Sequence, residues 1–408
     1  MRVKQDAIVA IIICVISLII TITYFVLLSK SHLTIGYPVD IEKTAQIGDY
    51  IGGMVGTIIS GAAFWFLYLT LREQRNSLQK QKIEAHFFEM LKIYEKNISN
   101  MKYDASHLII DKGSFYIAQR LYEKNDVFQI FFQQFITCRN ELMPIFHKHR
   151  NLYNQQYEQM LKENQYIKDT GIDIYKLGYI DICYCILFYG TNSEGLMTLR
   201  SLFKNKYKDP LIDKVLKFIS LKPAYNKIIN KRWKEISTIS KRRELLSYVE
   251  DVYNWRVNQT HKNFNALYPD ISIGYSSDFE KYYSGYHQML GHHYRHLFQM
   301  VKYINEQKEL SYEEKYNYIK FMRSQMSNYE QIVFFLNSIS IMGRNWEIMP
   351  EINVKLKDYH KYDFQLITKY KLIKNIPNEI LFGIKYKTYY PYIEYEFGEN
   401  SSIEYSYK

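Results

Sequence analysis

Two long apolar runs near the N-terminus set the first limit on how this chain can fold. Ala7 to Leu28 holds 22 residues without a charge. At about 1.5 Å of rise per helical residue, such a run covers a hydrocarbon layer roughly 30 Å thick and exceeds the apolar core of a cleaved leader. Ile51 to Leu71 is a second run of the same kind. Arg2 and Lys4 precede the first, and Arg72, Arg75, Lys80 and Lys82 follow the second, whereas the linker sets Lys30 and Lys43 against Asp40, Glu42 and Asp49. Basic residues concentrate on the cytoplasmic side, so the expectation is a two-helix transmembrane hairpin, residues 1–71 with spans at 7–28 and 51–71, and with both ends in the cytoplasm. Gly48, Gly52 and Gly56, continued by Ser60, recur every four residues. That strip lets another helix approach closely, either within the hairpin or between protomers of a homo-oligomer.

The remaining residues, 72–408, read as a large, mostly helical cytoplasmic domain with a short β-like tail, which makes the fold class mainly α. From Arg72 to Met101 the apolar positions Leu78, Phe87, Phe88, Leu91, Tyr94, Ile98 and Met101 recur without glycine or proline, so the second span is expected to continue as one helix. Helices are also expected at Ser114–Lys124, Asp126–His149, Tyr153–Ile167, Ile180–Phe188, Gly195–Phe203, Pro210–Phe218 and Lys241–Asn254. Strand-like alternation is confined to Leu381–Tyr407, after Pro377. The net charge of +11, with Lys231, Arg232, Lys234, Lys241, Arg242 and Arg243 clustered, suits a lipid bilayer with an anionic leaflet, a nucleic acid, or a solvated basic face. Cys14, Cys138, Cys183 and Cys185 lack paired spacing, which leaves no basis for a zinc site or a disulfide framework and fits a reducing compartment.

The stretch Glu313–Met342, read as one helix, places Arg323, Ser327, Glu330 and Asn337 within an arc of roughly 80°. Past Ile332 only Asn337, Ser338 and Ser340 are polar, so Glu330 and Asn337 are expected indoors, where each needs an answering group. Gly285–Asn305 is the nearest source. Its polar residues Gln288, His292, Arg295 and Gln299 share one face, with His293 and His296 beside it. The short link from Glu306 to Glu313 favours an antiparallel helical hairpin, which would bring Arg295 and the histidines near Arg323 and Glu330. A buried pair of Glu330 with an arginine is expected. An ordinary amphipathic surface helix would also carry the stripe of Gln288, His292 and Gln299.

These residues carry a resemblance. Gly285–Ile304 (GYHQMLGHHYRHLFQMVKYI) followed by Met322–Asn337 (MRSQMSNYEQIVFFLN) resembles the core of the phage abortive infection family, the membrane-anchored relatives of the AbiC protein. The matching positions are Leu290, Gly291 and His292; Tyr294, Arg295, His296 and Leu297; then Arg323, Gln325, Ser327, Glu330 and Asn337. Met326 stands where the family pattern has leucine. Weaker echoes lie at Gly48–Thr70, Phe87–Asn97, Leu187–Gly190 and Leu366–Pro377. The resemblance implies anti-phage defence at the bacterial inner membrane, with a phage-derived trigger or a nucleic acid as a further partner. It implies no particular chemistry.

Two mechanisms are open on the residues. In the first, the chain is a membrane-anchored sensor and effector that blocks growth or damages the membrane on infection. In the second, it is a tethered HEPN-like ribonuclease or another toxin that processes nucleotides or phosphodiesters. Arg256 and His261 (RVNQTH) have the HEPN spacing, although chance alone supplies such a match and Val257 stands where that family has a polar residue. His292 and His296 have metal-ligand spacing, but His293 replaces the glutamate a zinc protease needs and no third ligand is evident, so neither a metal nor a cofactor is expected. The cluster His292, Arg295, His296, Arg323, Glu330 and Asn337 is the candidate site, because histidine moves protons and arginine holds phosphate.

Overall fold

The second apolar run begins in a helix that does not stop at the end of the run. Helix α1 covers Ile41–Tyr50, one wider π-helical turn covers Ile51–Val55, and α2 then runs through Gly56–Ser99. Neither glycine nor proline interrupts α2 after Gly61, and the expected continuation past Arg72 is seen. This computed structural model describes residues 41–220, 283–349 and 365–396, without 105–106, 112–113, 119–120, 150, 378–380 and 382, together with a few positions between 12 and 26. The first expected span lies outside the described residues for the most part, as does the helix expected at Lys241–Asn254. Among the described residues one helix, Gly48–Ser99, is long and apolar enough to cross a membrane. Only 6% of its most apolar window is buried, and Phe64, Trp65 and Leu67 are exposed, unlike the core helix of a globular domain. At Gly48 and Gly52 an added Cβ would meet nothing within 4 Å among the described residues.

The chain forms two compact units, residues 1–86 and 87–408. The second unit is mainly helical. Its small strands come first: β1 (Lys102–Asp104) pairs antiparallel with β4 (Leu121–Glu123), and β2 (His107–Asp111) with β3 (Ser114–Ala118). The helix expected at Ser114–Lys124 is therefore two strands. Phe115, Tyr116 and Ile117 are strand formers, and the tight pairing of Asp111 with Ser114 selects a hairpin over a helix too short to bury itself.

Around the core stand α3 (Asp126–Lys148), α4 (Gln155–Glu163), α5 (Gln165–Thr170), α6 (Ile174–Tyr189), α7 (Ser193–Phe203) and α8 (Asp209–Ser220). After residue 283 come α9 (His287–Glu306), α10 (Tyr312–Gln325), α11 (Asn328–Ile339), a 3-10 turn at Arg344–Trp346 and the short α12 (Leu366–Tyr370). Helix α6 is central: Leu177 through Phe188 are all buried, and α3, α7, α9 and α11 pack around it. Asp173 caps its start through the backbone N–H groups of Tyr175 and Lys176. Its end is fixed by Gly190 at φ 78°, where a Cβ would fall 2.7 Å from the backbone of Ser284 and Gly285. Tyr286 N donates to Phe188 O at 2.8 Å and Thr191 N to Tyr283 O at 2.8 Å, so residues 283–286 are clamped on the end of α6.

Glu313–Met342 is not one helix. It breaks at Met326 and Ser327, whose extended backbone separates α10 from α11. Ser327 opens α11 with a capping box: its hydroxyl accepts from Glu330 N at 3.2 Å while the Glu330 carboxylate accepts from Ser327 N at 3.4 Å. Ser311 and Glu314 build the same box at the start of α10. The expected contact of the Gly285–Asn305 helix with the next helix holds, since α9 packs on α10. The expected β tail also fails over its described part. Residue 381 and residues 383–396 hold turns, a 3-10 turn at Tyr386–Thr388 and an isolated bridge of Leu381 with Ile384. Its aromatic alternation comes from tyrosines docking on α11, with Tyr386, Tyr389 and Tyr390 all ringed around Phe335.

Candidate functional site

Glu330 is fully buried, as its apolar surroundings require, but its partner is not an arginine. Tyr94 Oη donates to Glu330 Oε1 at 2.6 Å and His293 Nε2 lies 2.9 Å from the same oxygen. A carboxylate only accepts, so the phenol and Nε2 are the donors. Both side chains arrive from other elements, Tyr94 from the last turns of α2 and His293 from α9. The two rings tilt against each other with centroids 5.2 Å apart, and Phe128 covers His293 from α3 at 5.5 Å. Glu330 also sits in the first turn of α11, where unpaired backbone N–H groups favour negative charge. Burial, with the nearby Glu330 charge, pushes the Tyr94 phenol well above its ordinary value, so it remains a donor. The node is sealed: Tyr94, His293 and Glu330 have no solvent exposure.

The remaining candidates are dispersed. The break between α10 and α11 carries Arg323 away from Glu330, and its guanidinium donates instead to Tyr370 O at 3.2 Å and Lys371 O at 2.8 Å, anchoring the end of α12. His296 binds Met90 O of α2 at 2.8 Å. His292, Gln288 and Gln299 are exposed on α9, as on any amphipathic surface helix. Arg295 is exposed too, with Nε donating to Gly291 O at 2.9 Å. Asn337 is buried and donates to Tyr184 Oη at 2.8 Å. Arg256 and His261 lie outside the described residues. Among the described residues, no three His, Cys, Asp or Glu side chains cluster as metal ligands would.

Arg295 and Asn337 nevertheless meet at one place, a cleft of about 390 Å³ between α9, the ends of α6 and α11, and the turn at 342–346. Leu290, Gly291 and Tyr294 line it as well. Five of the motif positions therefore face a single cavity that the sequence does not reveal, because α9, α11 and the turn come together only in the fold. Phe298 and Trp346 form one wall edge to face at 4.9 Å.

Residues 285–381 match a family model described as "Putative phage abortive infection protein". This segment belongs to the AbiC-like abortive infection family. It takes in α10, α11, α12 and nearly all of the cleft. No curated protein and no solved structure matches the chain.

The abortive infection segment is locked to the rest of the unit by two further buried acids that the sequence reading did not single out. Asp181 of α6 pairs with Arg344 at 2.9 Å, both almost wholly buried. Asp181 also accepts from Tyr207 Oη at 2.6 Å and Ile341 N at 2.6 Å, and Arg344 donates to Tyr157 Oη at 2.6 Å. Burial pushes the Asp181 carboxyl up against the opposing pull of Arg344, yet every partner is a donor, the arrangement an ionised carboxylate needs. Burial likewise works against the Arg344 charge but is outweighed by Asp181, which holds the guanidinium above its ordinary value. The signal was available: Asp181 is the lone charge in the apolar run of α6. Glu347 accepts from Thr368 N at 2.8 Å and from the Thr368 hydroxyl, fastening α12. Burial raises its pKa to about 7. Tyr166 Oη contacts both Glu347 Oε1, at 3.0 Å, and Tyr389 O, at 2.8 Å, but has one hydrogen to share between two acceptors. A proton on Glu347 resolves that conflict.

Proposed function

We propose that the chain is a membrane-tethered abortive infection protein whose helical body detects an intracellular cue of phage infection and, through α2, changes the membrane hairpin or its oligomer so that growth stops. The observation that carries this reading is the double role of α2. The helix that bears the apolar stretch ends with Met90 and Tyr94, which bind His296 and Glu330 of the abortive infection segment. A change in the segment that disturbs Glu330 or His296 therefore acts directly on the helix that enters the bilayer. The sealed state of Glu330 and His293 also favours a coupling role over catalysis, since no substrate reaches them. The basic residues flanking the spans support a body on the cytoplasmic side, and the likeness to phage abortive infection proteins supports the bacterial inner membrane.

The competing reading is a tethered ribonuclease, with Arg256 and His261 as its candidate pair. Replacing residues 1–71 with an unrelated two-span anchor separates the two. An effector loses protection and its infected cells no longer admit a membrane-impermeant dye. A tethered nuclease keeps protection and degrades RNA before lysis. Retained protection with degraded RNA in the swapped chain would end the effector reading.

A further inference from the structure

The cleft beside α9 has the lining of a ligand site, and its chemistry selects a class. Among its lining residues are Arg295 and His287 but no carboxylate, so an anion is favoured and a cation is not. Arg295 uses only Nε within the fold, which leaves both terminal nitrogens of an exposed guanidinium at the cleft edge. The walls are flat. Phe298 and Trp346 stand on one side, and Tyr189 and His287 stack on each other with centroids 6.2 Å apart on another. Gly291 keeps the groove open along α9, because a Cβ there would meet only the Phe188 ring, at 3.3 Å. Carboxamides complete the lining: Gln299 and Asn345 are exposed at the rim, and Asn337 commits its amide nitrogen to Tyr184 while its side-chain oxygen makes no hydrogen bond among the described residues.

Aromatic walls, carboxamides able to read a base edge and one guanidinium at the edge fit a planar heterocycle carrying an anionic group. The volume of about 390 Å³ lies at the small end of the roughly 300–1,000 Å³ typical of ligand pockets, which suits one nucleotide and not two.

We propose that this cleft binds a mononucleotide, its base against the Phe298 and Trp346 wall and its phosphate on Arg295. Binding stands apart from the membrane reading. Only the role of the nucleotide as the infection cue rests on it, the ligand then acting through α9, which carries both Arg295 on the cleft and His293 on Glu330.

The test is equilibrium dialysis of the full-length protein in detergent against AMP, GMP, CMP and UMP, each matching nucleoside, and inorganic phosphate. At least one mononucleotide is expected to bind saturably, with its nucleoside and Arg295→Ala each weaker by about tenfold or more, as loss of a charged phosphate contact requires. Arg295→Lys should recover part of the loss, and Gly291→Leu, checked by its melting temperature to be folded, should block the groove. The proposal is overturned if no nucleotide saturates at millimolar concentration, if inorganic phosphate binds as tightly as the nucleotide, or if binding survives both Arg295→Ala and Gly291→Leu. A protein that binds nucleotide normally but keeps protecting cells after the anchor swap would refute the membrane reading alone.

Discussion

At the level of single residues, the second unit is organised by acids that have no access to water. Glu330 is held by Tyr94 and His293, so Glu330→Ala strands a phenol and an imidazole inside the core. The expected loss is about 3–5 kcal/mol, read by urea denaturation of the detergent-solubilised chain through tryptophan fluorescence. A loss under about 1 kcal/mol would mean that the node contributes little. Asp181 and Arg344 allow a sharper test. Asp181→Leu alone leaves a buried guanidinium and should cost about 3–5 kcal/mol, whereas adding Arg344→Met should recover part of it, the remainder reflecting the Tyr207 hydroxyl and the Ile341 N–H left without an acceptor. Equal losses in the single and double variants would contradict this. Glu330 was legible as buried because its neighbours are apolar. Its partners were not, since Tyr94 lies 236 positions away and nothing local selects it over an arginine.

At the level of elements, the break between α10 and α11 decides where the polar stripe goes. A serine followed three residues later by glutamate is a helix-start signal, and it occurs at both Ser311 and Ser327. Read as a cap, Ser327 divides the run and removes Arg323 from the stripe. Read as one more polar position on a long helix, it does not. Ser327→Ala should destabilise the unit by about 1 kcal/mol and lower the melting temperature by a few degrees in a thermal scan. The strands at Ser114–Ala118 and Leu121–Glu123 went unread for a related reason: a short apolar run fits either period, and only its pairing partner settles the choice.

For the molecule as a whole, pH offers a probe of how the C-terminal elements are fastened. Glu347 has its pKa raised by burial to about 7, so the folded state holds this proton more tightly than the unfolded chain does. The stability it contributes is then complete below the ordinary glutamate value of about 4.3 and is lost as pH rises through about 7. The full effect is on the order of 3 kcal/mol. Melting temperatures should fall between about pH 5 and pH 8, and Glu347→Gln, which imitates the protonated acid, should flatten that fall. A profile unchanged by Glu347→Gln would mean that another group sets it.

Local rules in the sequence determined the helical class, the membrane-apt helix and its continuation past Arg72, and the burial of Glu330 and Asn337. Each follows from the spacing of apolar residues, which acts over a few turns of chain. The tertiary structure decided which group answers each buried acid, how Arg295, Gly291, Tyr294 and Asn337 converge on one cleft, and why Gly190 must face Gly285. Those outcomes depend on elements far apart in the chain meeting at atomic distance. A hydrogen bond or a close approach between them leaves no periodic trace along the sequence.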